Sequence, residues 1–83
     1  MKVLYFASVR ELLGKAEEEL EPPAGVDTIG ELMGWLAGRG EEYAAAFANP
    51  RAIRAALDRQ HVKADAAIAG AHEVAFFPPM TGG

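Results

Sequence analysis

The residues from Phe76 to Gly83 have the types best suited to chemistry at a chain terminus. Two aromatic residues are typical of a buried strand, and the two prolines after them favour an extended, polyproline-like path. The two final glycines have no side chains, so they could pass through a channel too narrow for any other residue. We therefore interpret residues 78–83 as a narrow, flexible tail that presents a reactive carboxylate, joined to a domain over residues 1–77.

Composition excludes several other kinds of site. The 83 residues include no cysteine, which removes disulfides, thiolate zinc sites and cysteine nucleophiles. The two histidines, His61 and His72, are too few for a histidine-rich metal site, so we predict no metal and place both at the surface. A net charge of −4 disfavours nucleic-acid binding. No apolar run approaches the ~20 residues of a membrane span, so we expect a cytoplasmic protein with no membrane partner.

The first third of the chain predicts two strands around a helical turn. Residues 2–7 predict a strand that is apolar on both faces. Ser8 and Glu11 have the spacing of a capping box, which predicts a single helical turn that ends at Gly14. Residues 15–21 predict an edge strand protected by charge. We interpret its three consecutive glutamates as solvated, with contact to a basic partner as the alternative.

The clearest element is an amphipathic helix in the middle of the chain. Thr28 and Glu31 form a second capping box that predicts its start. Its apolar side chains recur with helical spacing at Ile29, Leu32, Met33 and Leu36. A shorter helix is predicted over residues 41–48, and we place Trp35 and Tyr43 in part of the core or at its rim.

Residues at both ends resemble a known family. The segment from Phe76 to Gly83 resembles the C-terminal signature of the small, sulfur-carrying subunit of molybdopterin synthase, and Lys2 to Leu12 resembles that family's first strand and turn. The resemblance implies an α+β fold of the β-grasp, ubiquitin-like type, a mixed sheet with one main helix packed on one face. It also implies a strand at Ile53 to Leu57. Alanine content alone would predict a helix there, but strand pairing can override propensity.

Three positions depart from the family pattern. Met80 stands where the family commonly has valine, and Asp58 stands where asparagine often follows the strand. The turn over residues 69–71 lacks the acidic residues often seen there. These departures leave the strand register over residues 51–61 open, but none of them affects the terminal carboxylate.

The resemblance also implies a mechanism for the tail. The family's chemistry falls on Gly83, whose carboxylate a ubiquitin-activating-type adenylyltransferase converts to an adenylate with ATP and then to a thiocarboxylate. Gly82 lets the tail thread into the large synthase subunit, where sulfur passes to cyclic pyranopterin monophosphate in molybdenum cofactor biosynthesis. The resemblance implies a heterotetramer with two copies of each subunit and no permanently bound cofactor. The chain is then a sulfur-donating subunit that is not catalytic alone.

Alternation along the first and last strands predicts a partner surface. A helix over one sheet face would cover Val3, Tyr5, Val74 and Phe76. Apolar side chains are then left on the other side or at its rim, where they would bind a partner unless the second helix and the loops cover them. With the tail residues, this predicted interface comprises Leu4, Phe6, Phe77, Pro78, Pro79, Met80 and Thr81.

Three alternative functions stay open at this point. Ubiquitin-like sulfur carriers for thiamine or tRNA thiolation share the fold and the Gly-Gly end, although the two prolines argue against the thiamine type. A ubiquitin-like modifier that forms isopeptide bonds also begins with an adenylate. A binding module with an inert tail is the third alternative.

Overall fold

Five strands form one mixed sheet in the computed structural model, which describes residues 1–79. The strands are β1 (Lys2–Tyr5), β2 (Glu17–Glu19), β3 (Arg54–Leu57), β4 (Gln60–Val62) and β5 (Glu73–Phe77). Their order is β2-β1-β5-β3-β4. The central strand β5 runs parallel to β1 and antiparallel to β3, while the edge strands β2 and β4 pair antiparallel with their neighbours.

Three helices accompany the sheet. They are α1 (Ala7–Leu13), α2 (Ile29–Ala37) and α3 (Glu41–Ala46), and a 3₁₀ turn covers Pro50–Ala52. The predicted capping box begins α2, because the Glu31 backbone N–H donates to Thr28 Oγ1 at 3.2 Å. In return, the Thr28 backbone N–H donates to Glu31 Oε1 at 3.1 Å.

The core lies between the sheet and the helices. All four strand residues predicted to face the helix are at most 1% exposed, and they belong to one buried cluster with the apolar side of α2. This cluster includes Val3, Tyr5, Val74, Phe76, Ile29, Leu32, Met33 and Leu36. A mixed sheet with a helix packed on one face is the predicted β-grasp arrangement, so the α+β fold is confirmed.

The segment with ambiguous propensity is a strand. β3 pairs with β5 so that Ala55 lies opposite Phe76. The hairpin to β4, which the sequence did not predict, turns through Asp58 and Arg59, whose φ angles are +46° and +71°. Asp and Asn adopt this left-handed conformation more readily than most residues, which explains why either suits position 58.

The prediction for the start of α1 is wrong. β1 ends at Tyr5, and the helix begins at Ala7 with Phe6 as its N-cap residue. Ala7 has a φ of +51°, so the chain changes direction directly after Phe6 and the helix begins one residue before Ser8. Ser8 and Glu11 therefore lie inside a seven-residue helix, which has no side-chain hydrogen bond at its cap.

The second helix is shorter than predicted and more deeply buried. It ends at Ala46, and Tyr43 is only 4% exposed, so Tyr43 belongs to the core and not to its rim. Trp35 is half-buried and packs against the core cluster, as predicted.

Candidate functional site

The strand that leads into the predicted tail is held at the centre of the sheet. Phe76 of β5 is fully buried, and its ring packs edge-on against Phe47 with 5.2 Å between ring centroids. Phe47 in turn packs edge-on against Tyr5 at 6.5 Å. The Phe6 backbone N–H donates to the Phe76 carbonyl at 3.1 Å, which extends the β1–β5 pairing beyond the last pair of strand residues. The tail therefore leaves from a fixed position.

The predicted tail itself is only partly described. Pro78 and Pro79 follow β5 and are half-buried, and neither belongs to a strand. Without backbone N–H groups, they end the hydrogen-bond ladder. The predicted site residues Met80, Thr81, Gly82 and Gly83 lie outside the described residues, so their roles stay predictions.

The sheet face opposite α2 presents an apolar strip. The strand register aligns one row of residues across all five strands. Leu4, Ala75 and Ala56 form its apolar centre, and the exposed residues Glu17 and His61 lie at its two ends. Phe77 is half-buried on the same face of β5, and the His61 ring packs edge-on against it at 5.3 Å. The structure therefore brings Leu4 and Phe77 to one face, as alternation predicts. It adds His61, which the sequence could not place because strand β4 was missed.

Phe6 lies outside the strand predicted over residues 2–7, because β1 ends at Tyr5. It lies beyond the end of β1, at the cap of α1, with 46% of its surface exposed. Its backbone contact with Phe76 nevertheless places it beside the end of β5. Leu12 of α1, which the sequence analysis did not single out, is 52% exposed.

A polar cluster between β2 and α3 has Glu18 at its centre. The Glu18 carboxylate accepts hydrogen bonds from the Tyr5 hydroxyl at 2.7 Å and the Tyr43 hydroxyl at 2.6 Å. The cations of Lys15 and Arg39 lie 3.6 Å and 3.5 Å from its other oxygen. Because β2 pairs Glu18 with Val3, its side chain shares the helix-covered face of the sheet and is only 16% exposed.

This cluster corrects the interpretation of the three glutamates as a solvated edge. That interpretation is right for Glu17 and Glu19, which are exposed, and wrong for Glu18. Burial would raise the pKa of Glu18, but the tyrosine hydrogen bonds and the two nearby cations together lower it below its ordinary value. Burial and the bond to Glu18 raise the pKa of Tyr5 well above its usual range. The cluster thus holds a carboxylate ionised and a phenol neutral, which is a structural role.

No helix within residues 1–79 is long and apolar enough to cross a membrane. In the same residues, no three side chains of His, Cys, Asp or Glu come together in a way that could hold a metal ion.

Known proteins match the chain over its whole length. The chain is 37% identical over 83 residues to the molybdopterin synthase sulfur carrier subunit of Escherichia coli (strain K12), covering 100% of this chain and 99% of the relative. It is 33% identical over 84 residues to the protein of the same name from Haemophilus influenzae, with the same coverage. Both alignments span the tail as well as the folded domain.

A solved structure and a family model also match this chain. The structure of SAMP1 from Haloferax volcanii superposes with a TM-score of 0.72 at 23% identity, covering 100% of this chain and 98% of that one, which shows a shared fold. A family model described as the ThiS family matches residues 3–83. Because this match includes nearly the whole chain, the chain belongs to the ThiS family, as a full-length relative of molybdopterin synthase sulfur carrier subunits.

Proposed function

We propose that the chain is the sulfur carrier subunit of a molybdopterin synthase. The observation that carries this proposal is the 37% identity to such a subunit over all 83 residues. The structure supports it, because the central strand β5 leads through Pro78 and Pro79 directly into the predicted tail. A rigid strand that ends in prolines suits a protein that must present a narrow tail to another protein's active site.

The proposed chemistry begins with activation of the Gly83 carboxylate. That carboxylate, with an ordinary pKa near 3.5, is ionised at neutral pH and is a poor electrophile. One of its oxygens attacks the α-phosphorus of ATP on a ubiquitin-activating-type adenylyltransferase, and pyrophosphate leaves. Hydrosulfide, or an equivalent sulfur at the oxidation level of sulfide, then attacks the acyl carbon, AMP leaves, and loss of the proton on sulfur gives a thiocarboxylate. The nucleotide belongs to the activating enzyme, and the carrier binds no cofactor permanently.

Delivery follows in the large synthase subunit. The thiocarboxylate sulfur bonds to a carbon of cyclic pyranopterin monophosphate and displaces an oxygen substituent there. Water then cleaves the bond between the Gly83 acyl carbon and sulfur, so the sulfur stays on the pterin and the carrier returns with a carboxylate. Molybdopterin needs two sulfurs, so each synthase uses two loaded carriers or reloads one. A requirement for two sulfurs is consistent with the proposed heterotetramer, which has two copies of each subunit. We place it in the cytoplasm, where ATP is available to the activating enzyme.

In this proposal, the carrier binds and presents while its partners catalyse. The large subunit contacts the apolar strip opposite α2 and the start of the tail. Half-buried apolar side chains on a sheet face bind partners well, because they can be desolvated without unfolding the domain. The proposed contact residues are Leu4, Phe6, Phe77, Pro78, Pro79, Met80 and Thr81.

Mass measurement tests this proposal directly. The chain is produced in cells that make molybdopterin, and its C-terminal peptide is examined for replacement of one oxygen by sulfur. Loaded carrier is then mixed with large subunit and cyclic pyranopterin monophosphate, and molybdopterin formation is measured. The variant that lacks Gly83 is the matched control, and it should fold but neither gain sulfur nor support the reaction.

Two outcomes would contradict the proposal. Loaded carrier that thiolates tRNA or a thiamine precursor but yields no molybdopterin would assign the chain to another sulfur-transfer reaction. Conjugates between Gly83 and lysine side chains, without thiocarboxylate, would identify a protein modifier.

A further inference from the structure

A histidine ring lies over one end of the apolar strip opposite α2. His61 of β4 pairs with Ala56 of β3, and β3 separates β4 from β5 in the sheet. The His61 ring nevertheless contacts Phe77 of β5, with 5.3 Å between the ring centroids and 62° between the ring planes. The ring therefore spans the width of β3, where the short side chain of Ala56 leaves room for it.

The low exposure of Ala56 agrees with this cover. Because Ala55 lies opposite Phe76 in the core, Ala56 faces away from α2, and it is not part of the buried cluster. It is nevertheless only 7% exposed. Its paired neighbours on that face are Ala75 and His61, and the alanine is too small to shield it alone. The exposed His61 ring thus closes the β4 end of the strip.

The charged groups around His61 disfavour a further positive charge at this position. Arg54 of β3 shares its face of the sheet, because it lies two residues from Ala56 and opposite Phe77. Lys63 follows His61 by two residues, so continued alternation places it on the same face. Within residues 1–79, no carboxylate lies within 4.0 Å of the His61 ring. The other charged residues on this face or at the hairpin turn are Lys2, Glu17, Glu19, Asp58, Arg59 and Glu73.

Docking of an apolar surface would make a positive charge there still less favourable. Histidine is the side chain whose unperturbed charge change falls between pH 5 and 8. A neutral imidazole can pack against carbon, whereas an imidazolium loses its hydration on docking and needs a carboxylate in exchange. The same ring is therefore a favourable contact when neutral and an unfavourable one when protonated.

We propose that His61 makes docking of the large synthase subunit dependent on pH, since the strip binds that subunit only while the ring against Phe77 is neutral. This inference rests on the proposed function and adds the chemistry of the partner at this site. Opposite His61, the large subunit presents apolar side chains and no carboxylate. His61 acts in part through Phe77, whose ring it holds in place, and is in that respect a positioning residue.

Calorimetric titration of the full chain with its large subunit, between pH 8 and pH 5.5, tests this inference. One pH unit below the midpoint of the His61 titration, only about a tenth of the carrier is neutral at this ring, so wild-type affinity should be about tenfold weaker than at pH 8. The His61→Phe variant keeps a ring against Phe77 but gains no charge. It should bind like wild type at pH 8 and lose most of the decrease in acid.

Two further variants serve as controls. His61→Arg carries a permanent cation and should bind at pH 8 as weakly as wild type does in acid. His72→Gln removes the other histidine, which precedes β5 at the end of the strand away from Phe77, and should keep the wild-type pH dependence. Because His61 is exposed and outside the buried cluster, both of its variants should melt like wild type.

Three results would overturn the inference. Equal pH dependence of wild type and His61→Phe would overturn it and leave the proposed function standing. Stronger binding of wild type in acid would also overturn it, because it would place a carboxylate of the large subunit opposite His61. No binding of the large subunit at any pH would overturn the inference and the proposed function together.

Discussion

The Tyr43 hydroxyl of α3 donates a 2.6 Å hydrogen bond to the Glu18 carboxylate of β2, across 25 residues of sequence. The same hydroxyl accepts a 2.9 Å hydrogen bond from Lys15 Nζ. The buried Tyr5 hydroxyl bonds to Glu18 as well, so one carboxylate serves two buried phenols. An acidic side chain on an edge strand, which would usually be solvated, instead joins that strand to a helix.

Removing this carboxylate should destabilise the fold. Glu18→Ala leaves the hydroxyls of Tyr5 and Tyr43 without their acceptor, and we expect a loss of about 1–3 kcal/mol in the free energy of unfolding. Glu17→Ala on the same strand is the control. Its ion pair with Lys2 is about half exposed, so its loss should cost less than about 0.5 kcal/mol. Urea denaturation measures both, and equal losses would show that the cluster has no stabilising role.

The stabilisation by Glu18 should also depend on pH. Its pKa is lower in the folded protein than the ordinary value of 4.5. The contribution is therefore present in full above pH 4.5 and is lost as the pH falls through the folded pKa. Urea denaturation between neutral pH and about pH 3 should show the stability difference between wild type and Glu18→Gln shrinking in acid. A difference that stays constant or grows would contradict the lowered pKa.

Truncation of the main helix tests the core. Leu36 is fully buried, so Leu36→Ala should cost about 2–5 kcal/mol through lost burial and a new cavity. The same truncation at Leu12, which is 52% exposed, should cost about 0.5 kcal/mol or less. Thermal melts of the two variants make the comparison, and similar melting temperatures would argue against the packing of α2 on the sheet.

Phe77 tests the proposed partner surface. Because Phe77 is half-buried and outside the core cluster, Phe77→Glu should fold and bind the large subunit at least thirtyfold more weakly, about 2 kcal/mol. Leu12→Glu places the same charge at an exposed apolar site on α1 and should bind normally. Calorimetric titration measures both affinities. Normal binding by Phe77→Glu would exclude this face as the interface.

The tail is tested by a change that keeps Gly83. Gly82→Val adds a β-branched side chain where, in the proposed function, the tail threads a narrow channel, so adenylation or sulfur delivery should fall by about a hundredfold or more. The melting temperature should not change. Gly34→Ala is the control, because an added Cβ there meets no atom within 4 Å. Wild-type rates of adenylate and molybdopterin formation from Gly82→Val would contradict the threading proposal.

Sequence reasoning worked where local patterns are strong. Thr28 and Glu31 gave the start of α2, and alternation placed Phe76 inside and Phe77 outside. Local patterns were misleading at Ser8, because the positive φ of Ala7 starts α1 earlier. No local signal in the sequence predicts a positive φ at an alanine. Because the helix begins before Ser8, the capping-box spacing between Ser8 and Glu11 produces no capping hydrogen bond.

Long-range pairing decided what local patterns could not. Alanine propensity favours a helix at residues 51–57, but Ala55 lies opposite Phe76 and Ala56 opposite Ala75, so pairing with β5 makes a strand. The sequence did not predict β4, because this strand has only three residues and two of them are polar. The contact of His61 with Phe77 and the bond of Tyr43 to Glu18 join distant segments, and no spacing rule predicts them.

The parallel pairing of β1 with β5 has a consequence for synthesis of the protein. Residues 2–5 cannot complete the centre of the sheet until residues 73–77 have left the ribosome. Such a high contact order slows folding and delays it until β5 has been synthesised. Before that point the row of Leu4, Ala75 and Ala56 across the sheet is incomplete. In the proposed function, the tail is therefore activated only on a domain that has already folded.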